Sequence, residues 1–295
     1  MRVTRQALVC PPCEADDQPM TDDAVARIRS LFDELSAVYD PADVPFFGPI
    51  AAGLVELLAP VPGERALDLG CGTGAVTLPL AAAVGHTGSV TAVDISDGMI
   101  ELLDQAVARH RLSQVVTERA DVSEPDPSWG NFDVVTASLV LFFLPEPLAA
   151  LQRWAARVAD GGRIGISTFG PQDDVWRAVD ASFAPYLPAA MLDARTSGAA
   201  GPFADDAGVE QLFRSAGITA VRTVTTPVTV AFDDVDGWRR WSMTTGQRQM
   251  WARIPAVDQD GFLERAAALL AAARAPGGRI ELTQQVRYTV GTVER

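Results

Sequence analysis

The segment Asp68-Leu-Gly-Cys-Gly-Thr-Gly74 puts a carboxylate two residues ahead of three glycines at alternate positions. Apolar Ala66, Leu67 and Leu69 read as a short strand, and Thr73 to Val84 as a helix, so the glycines join strand directly to helix. Lacking side chains, they allow positive φ and bring backbone close to a ligand, beside the positive end of the helix. The loop also fits the G-x-G-x-x-A form of dinucleotide binding, with Ala75 last. Asp68 argues against a pyrophosphate, which its charge would repel, and for an amino or sulfonium group. Twenty residues past Gly74, Asp94 ends a second apolar strand, placed to accept from ribose hydroxyls. Asp121 closes a third, where it can accept from an adenine amine or, alternatively, cap the next segment. Ser96 and Asp97 can cap the helix after Asp94 and so leave that carboxylate free. Three converging carboxylates suit a cationic ligand rich in donors.

The elements that must position these groups follow from the pattern. Strands are expected at 66–70, 89–94, 115–119, 132–137, 162–169 and 218–230, with a seventh at 279–293. Helices are expected at 21–38, 50–58, 73–84, 97–109, 147–158 and 207–215. This alternation predicts an α/β fold: a Rossmann-like, seven-stranded, mostly parallel sheet with helices on both faces and its last strand antiparallel. Residues 171–206 and 232–276 break the alternation and read as helical lid insertions covering the carboxyl edge. Residues 1–20 read as a flexible leader, 21–64 as an N-terminal helical cap and 65–295 as the core.

Composition narrows the chemistry. The 295 residues carry 24 arginines, no lysine and 38 acids, a net charge of −14. Without lysine there is no Schiff base, pyridoxal attachment or P-loop. The negative charge disfavours nucleic acid and anionic membranes. Cys10-Pro-Pro-Cys13 has redox or half-zinc spacing, but no second pair completes a metal site and no strand precedes it. Leu69 to Val93 lacks charge over a span long enough to cross a bilayer, but its five glycines and strand-like ends mark a buried α/β segment. With no signal-peptide pattern, a cytoplasmic location is expected. The oligomeric expectation is monomer or homodimer.

At these residues the chain resembles the class I S-adenosylmethionine-dependent methyltransferases. The resemblance runs from about Val38 to Phe169 through Asp68-Leu-Gly-Cys-Gly-Thr-Gly74, Val93-Asp-Ile-Ser96, Ala120-Asp-Val122 and Phe132-Asp-Val-Val-Thr-Ala-Ser138. It implies S-adenosylmethionine as cofactor. Gly70, Cys71, Gly72 and Gly74 would then line the methionine moiety, with Asp68 near its amino group. Asp94 would hold the ribose, Ile95 and Met99 would lie by the adenine, and Asp121 and Val122 would face its amine and offer a backbone donor. Ser138 would approach the sulfonium, and Tyr39 would close over the cofactor.

The acceptor is less legible. His86 and His110 lie at helix ends, on the edge away from the ligand, so no lid histidine is on offer as base. Asp173, Asp174, Tyr186 and Glu146 are the remaining candidates for proton removal. Trp238, Trp241, Thr245, Arg248 and Trp251 fall within an arc of roughly 140° at helical spacing, with Gly246 interrupting the helix so that its later half can rotate off the arc. Either this stripe packs a lid helix on the core, or it forms an aromatic wall with Arg248 aimed at an anionic or carbonyl group. Phe46, Phe47, Phe142, Phe143 and Phe169 add apolar surface, so a hydrophobic small molecule is the expected partner. The expected activity is O- or C-methylation, possible in secondary metabolism, driven by proximity and orientation in a closed aromatic pocket. Competing readings are a cyclase or isomerase on the same cofactor fold, a nicotinamide-dependent oxidoreductase, and a non-catalytic subunit.

Overall fold

The computed structural model describes residues 29, 30, 32, 33, 36, 44–188 and 200–295. Seven strands, β1 (Arg65–Leu69), β2 (Ser89–Asp94), β3 (Val115–Arg119), β4 (Phe132–Ser138), β5 (Val158–Gln172), β6 (Thr219–Phe232) and β7 (Ile280–Thr292), form one sheet. Their order is β3-β2-β1-β4-β5-β7-β6. β7 lies antiparallel between β5 and β6, and β1 to β5 pair in parallel. The expected fold class is the one observed. β5 begins earlier and ends later than its apolar run, because its backbone pairs on with β7 as far as Gln172 and Gln284.

Helices α1 (Phe47–Leu58), α2 (Thr77–Val84), α3 (Asp97–His110), α4 (Pro147–Ala155) and α6 (Asp206–Ser215) cover the sheet. α2 starts four residues later than its apolar spacing suggests. Gly72 and Gly74 sit at φ 52° and 101°, which no right-handed helix accommodates. Short polar side chains start α3 and α6: Ser96 accepts from the Met99 N–H at 3.2 Å, and Asp205 from that of Gly208 at 2.8 Å. α1 ends at Ala59, in the left-handed region ahead of Pro60. There Arg163 donates to the Leu58 and Ala59 carbonyls and grips Glu64 with both terminal nitrogens. That guanidinium holds the Glu64 carboxyl below its usual range.

The two insertions supply α5 (Asp174–Ala181), α7 (Val235–Ser242), α8 (Arg248–Trp251) and α9 (Gln259–Leu270). Asp173 and Asp234 cap α5 and α7. Four tryptophans of this cover are buried, Trp176, Trp238, Trp241 and Trp251, and its apolar stripe makes a small core of its own: Trp251 packs on Trp238, Phe183 and Phe262 with ring centres 5.0–5.6 Å apart. The leader and Tyr39 lie outside the described residues. No helix among the described residues is long and apolar enough to cross a membrane.

Candidate cofactor and acceptor site

Parallel register brings the strand ends level. Leu69 is opposite Val93, Asp94 opposite Arg119, Asp68 opposite Thr136 and Ser138 opposite Ser167. The glycine loop, Asp94, the Asp121–Val122 turn and Ser138 therefore share the carboxyl edge, where ligands of open α/β sheets bind. The loop is tied to β2: Gly70 and Cys71 donate to the Val93 carbonyl at 2.8 and 2.9 Å, and Gly72 donates to Asp94 Oδ2 at 2.9 Å. Asp94 Oδ1 accepts from the Ser96 N–H at 3.0 Å. Each carboxylate oxygen thus keeps a lone pair for a ligand. Burial pushes the Asp94 carboxyl up, and the backbone donors work against that.

The three glycines do different work. A Cβ on Gly70 would lie 2.4 Å from Val140 Cγ2, and one on Gly74 2.6 Å from Leu103 Cδ1, so both are packing positions. A Cβ on Gly72 would meet nothing within 4 Å. It faces open space directly above Asp94.

Asp68 is placed differently from the sequence reading. Its carboxylate is enclosed beneath the loop, accepting from Thr77 Oγ1 at 2.6 Å and Thr136 Oγ1 at 2.9 Å. Burial raises its pKa to about 6. It fixes the start of α2 to β4 and presents no open face. Thr77 and Thr136 carry no motif that would have exposed this role. Asp121 lies two residues beyond the end of β3 and accepts from the Ser123 N–H at 2.8 Å, closing a turn. Val122 gives its carbonyl to the Trp154 indole at 2.7 Å. Ser138 ends β4, 2.8 Å from Ser167 Oγ. Ile95 is half-buried and Met99 buried behind the Asp94 turn. Burial drives the Cys71 thiol up, so Cys71 contributes backbone and not sulfur chemistry.

Two features were hidden from the sequence. Leu139, just past Ser138, has φ 59°, an uncommon conformation for a leucine, and its N–H donates to the Ser167 carbonyl at 3.0 Å. Asp33, on the N-terminal helical stretch, accepts from Ser96 Oγ at 2.5 Å and the Gly98 N–H at 3.2 Å. That stretch is thereby pinned against the turn that holds Asp94.

A methyltransferase domain family matches residues 66–162, which span β1 to the start of β5. Over 279 residues, covering 88% of this chain and 96% of the relative, the sequence is 33% identical to nocamycin O-methyltransferase of Saccharothrix syringae. The chain is an S-adenosylmethionine-dependent methyltransferase. Aklanonic acid methyltransferase of Streptomyces sp. strain C5 is 35% identical over 57% of this chain and 76% of its own. The fold is also that of the YcgJ protein from Bacillus subtilis, with a TM-score of 0.52 and 13% identity over 84% of this chain and 99% of that one.

Within this methyltransferase, aromatic side chains continue from the cofactor edge into the cover. Phe143 touches Phe142, Phe142 touches Phe169, and Phe169 stacks on Phe46, with centres 4.6, 5.6 and 6.3 Å apart. Phe46 then meets Trp176 and Trp241 at 5.9 and 5.6 Å. The proposed wall of Trp238 and Trp241 is corrected by this arrangement. Trp238 is wholly enclosed with Trp251 inside the cover, because the stripe needs its own core. Trp241 is buried too, but lines a hollow of about 360 Å³ with Val44, Phe232, Thr244 and Arg240. Arg248 begins α8 and is half-buried, and the break at 243–247 takes it off the helix that carries Trp241.

Three of the four candidate proton acceptors are committed elsewhere. Asp173 caps α5 and accepts from the Thr283 N–H, and Asp174 pairs with Arg177 in solvent. Tyr186 accepts from Arg265, and Glu146 is exposed at the start of α4. His86 and His110 are exposed at the carboxyl ends of α2 and α3, on the opposite edge of the sheet, as expected.

Proposed function

We propose that this methyltransferase methylates an acidic hydroxyl, such as a phenol, enol or carboxylic acid, on a hydrophobic small molecule. The carrying observation is the continuous run of aromatic rings from the glycine loop's edge into the lid. The residues suit the cofactor: Gly72 leaves room where a side chain would intrude, and Asp94 offers two acceptor positions to vicinal hydroxyls. Asp121 and the Val122 N–H, which has no acceptor among the described residues, match an adenine edge. Asp68 adds negative charge under the methionine end, and Gly70, Cys71 and Gly74 shape the loop. Ile95 and Met99 complete the adenine side in this reading.

Bound S-adenosylmethionine supplies an electrophilic methyl group on sulfur. The protein's part is to hold the acceptor oxygen in line with that methyl and to keep water out, which can lower the barrier by several kcal/mol. Phe46, Phe143 and Trp241 form the apolar boundary that does so. An oxygen that is already ionised needs no dedicated base, in keeping with the commitments of Asp173, Asp174 and Tyr186 to structure. The names of the two relatives, an O-methyltransferase and a methyltransferase of an acid, support the same acceptor class. A cytoplasmic location is part of this reading; it accords with the free, buried Cys71.

Calorimetry with S-adenosylhomocysteine, followed by incubation of the enzyme with S-adenosylmethionine and a panel of hydrophobic phenols, enols and acids, tests the proposal. Micromolar product binding and a mass gain of one methyl on an oxygen of a panel member are expected. Methylation confined to amines, or to peptides, would overturn it.

A further inference from the structure

Among the described tryptophans, Trp129, Trp154 and Trp251 each donate the indole N–H, to Glu118, the Val122 carbonyl and Ser242 at 2.6–2.8 Å. Trp176 does not. Its Nε1 is buried with no acceptor, in a side chain only 4% exposed. A buried donor left unpaired costs about 1–3 kcal/mol, and phenylalanine would fill the same aromatic position without that cost. One turn along α5, Asp180 accepts from Gln172 at 2.8 Å and from Gln247 at 2.5 Å. Gln247 in turn has a buried Oε1 with no donor. The inner face of α5 thus sets an unused donor beside an acceptor cluster that holds an unused oxygen. The shell around it is apolar: Phe46 and Trp241 lie against Trp176, with centres 5.9 and 5.6 Å away. Trp238 Nε1 is also unpaired, but it is sealed in the lid's own core beside Trp251. Trp176 stands instead at the far end of the ring series that starts at Phe143, against Trp241, which lines the hollow on its other side.

We infer that the inner face of α5 is a polar subsite for the methyl acceptor: the Trp176 N–H donates to a carbonyl oxygen, and Asp180 with Gln247 accepts from a hydroxyl. This rests on the acceptor reading above and narrows it to aromatic hydroxy ketones. The raised Asp180 pKa of about 6, caused by burial, agrees with a carboxyl shielded from water where an acceptor can replace it. Trp176 acts on orientation and specificity, not on the transfer itself.

The test compares two probes by calorimetry with S-adenosylhomocysteine at saturation: a hydroxyacetonaphthone and the corresponding ethylnaphthol, which lacks only the carbonyl. The wild-type enzyme is expected to prefer the ketone by about 10-fold, the value of one well-made hydrogen bond. Trp176→Phe should abolish the preference while leaving the melting temperature equal or higher, since an unpaired donor is removed. Asp180→Asn should weaken both probes alike. Equal affinity of the wild type for the two probes would overturn the subsite, as would an undiminished preference in Trp176→Phe. If S-adenosylhomocysteine binds but neither probe does, the subsite is overturned while the cofactor site stands; loss of S-adenosylhomocysteine binding as well would remove the acceptor reading on which it rests.

Discussion

In the proposed reading, Asp94 serves both structure and ligand. Its carboxylate accepts from the Gly72 and Ser96 N–H groups, and those donors leave two positions for a ribose. Asp94→Ala is expected to weaken S-adenosylhomocysteine about 100-fold by calorimetry, the worth of one to two hydrogen bonds to a charged group. Asp68 and Asp180 carry a different consequence, because burial raises both to about 6. Each binds its proton more tightly folded than unfolded. Stability from that preference is complete below the ordinary carboxylate range, near pH 4, and is lost as pH rises through about 6. Two pKa units set an upper bound of about 3 kcal/mol per group. Thermal melts at pH 5 and pH 8 should show the wild type losing stability at the higher pH. Asp180→Asn should lose less, since an amide does not titrate in this range. An equal loss in both proteins would contradict this.

At the scale of elements, the glycine loop separates packing from binding. Gly74→Ala forces a Cβ against Leu103 at positive φ and should cost about 1–3 kcal/mol in denaturant melts. Gly72→Ala meets open space but keeps a positive φ, so it should cost about 1–2 kcal/mol, less than Gly74→Ala, while reducing cofactor affinity at least 10-fold. The reverse ranking would show that Gly72 does not face the ligand. On the far side of the sheet, buried Arg287 of β7 joins three elements. It donates to Asp206 at 2.6 Å and to the Phe169, Phe203 and Ala204 carbonyls at 2.8–3.0 Å. Arg287→Met leaves those acceptors without donors and should lower stability by about 3–5 kcal/mol, seen as a fall of several degrees in melting temperature.

Across the whole molecule, a net charge of −14 with no lysine makes self-repulsion a general term in stability. Raising salt from low to physiological ionic strength should raise the melting temperature by a few degrees through screening. A fall would mean that surface pairs such as Arg119–Asp97 and Arg279–Asp233 outweigh the repulsion. The molecule's division of labour also follows from its layout. The parallel half, β1 to β4, brings the candidate cofactor groups to its strand ends, and the longer β5-β7-β6 unit carries the inserted helices.

The placement of the candidate cofactor groups at one edge was legible in sequence because the signals for it are local. A glycine run between strand and helix, and acids closing successive strands, have their geometry set by backbone rules a few residues long. Parallel register then brings Gly72, Asp94 and Ser138 to one edge without further information. The lid was legible only as helical and aromatic. Whether Trp238, Trp241 or Trp176 faces a core or an acceptor depends on which helices pack on which, over separations of many tens of residues. The same holds for Asp68, whose threonine partners lie 9 and 68 positions away, and for Asp33, which reaches Ser96 across 63. Periodicity determines which side chains turn inward; only the tertiary packing decides what they meet there.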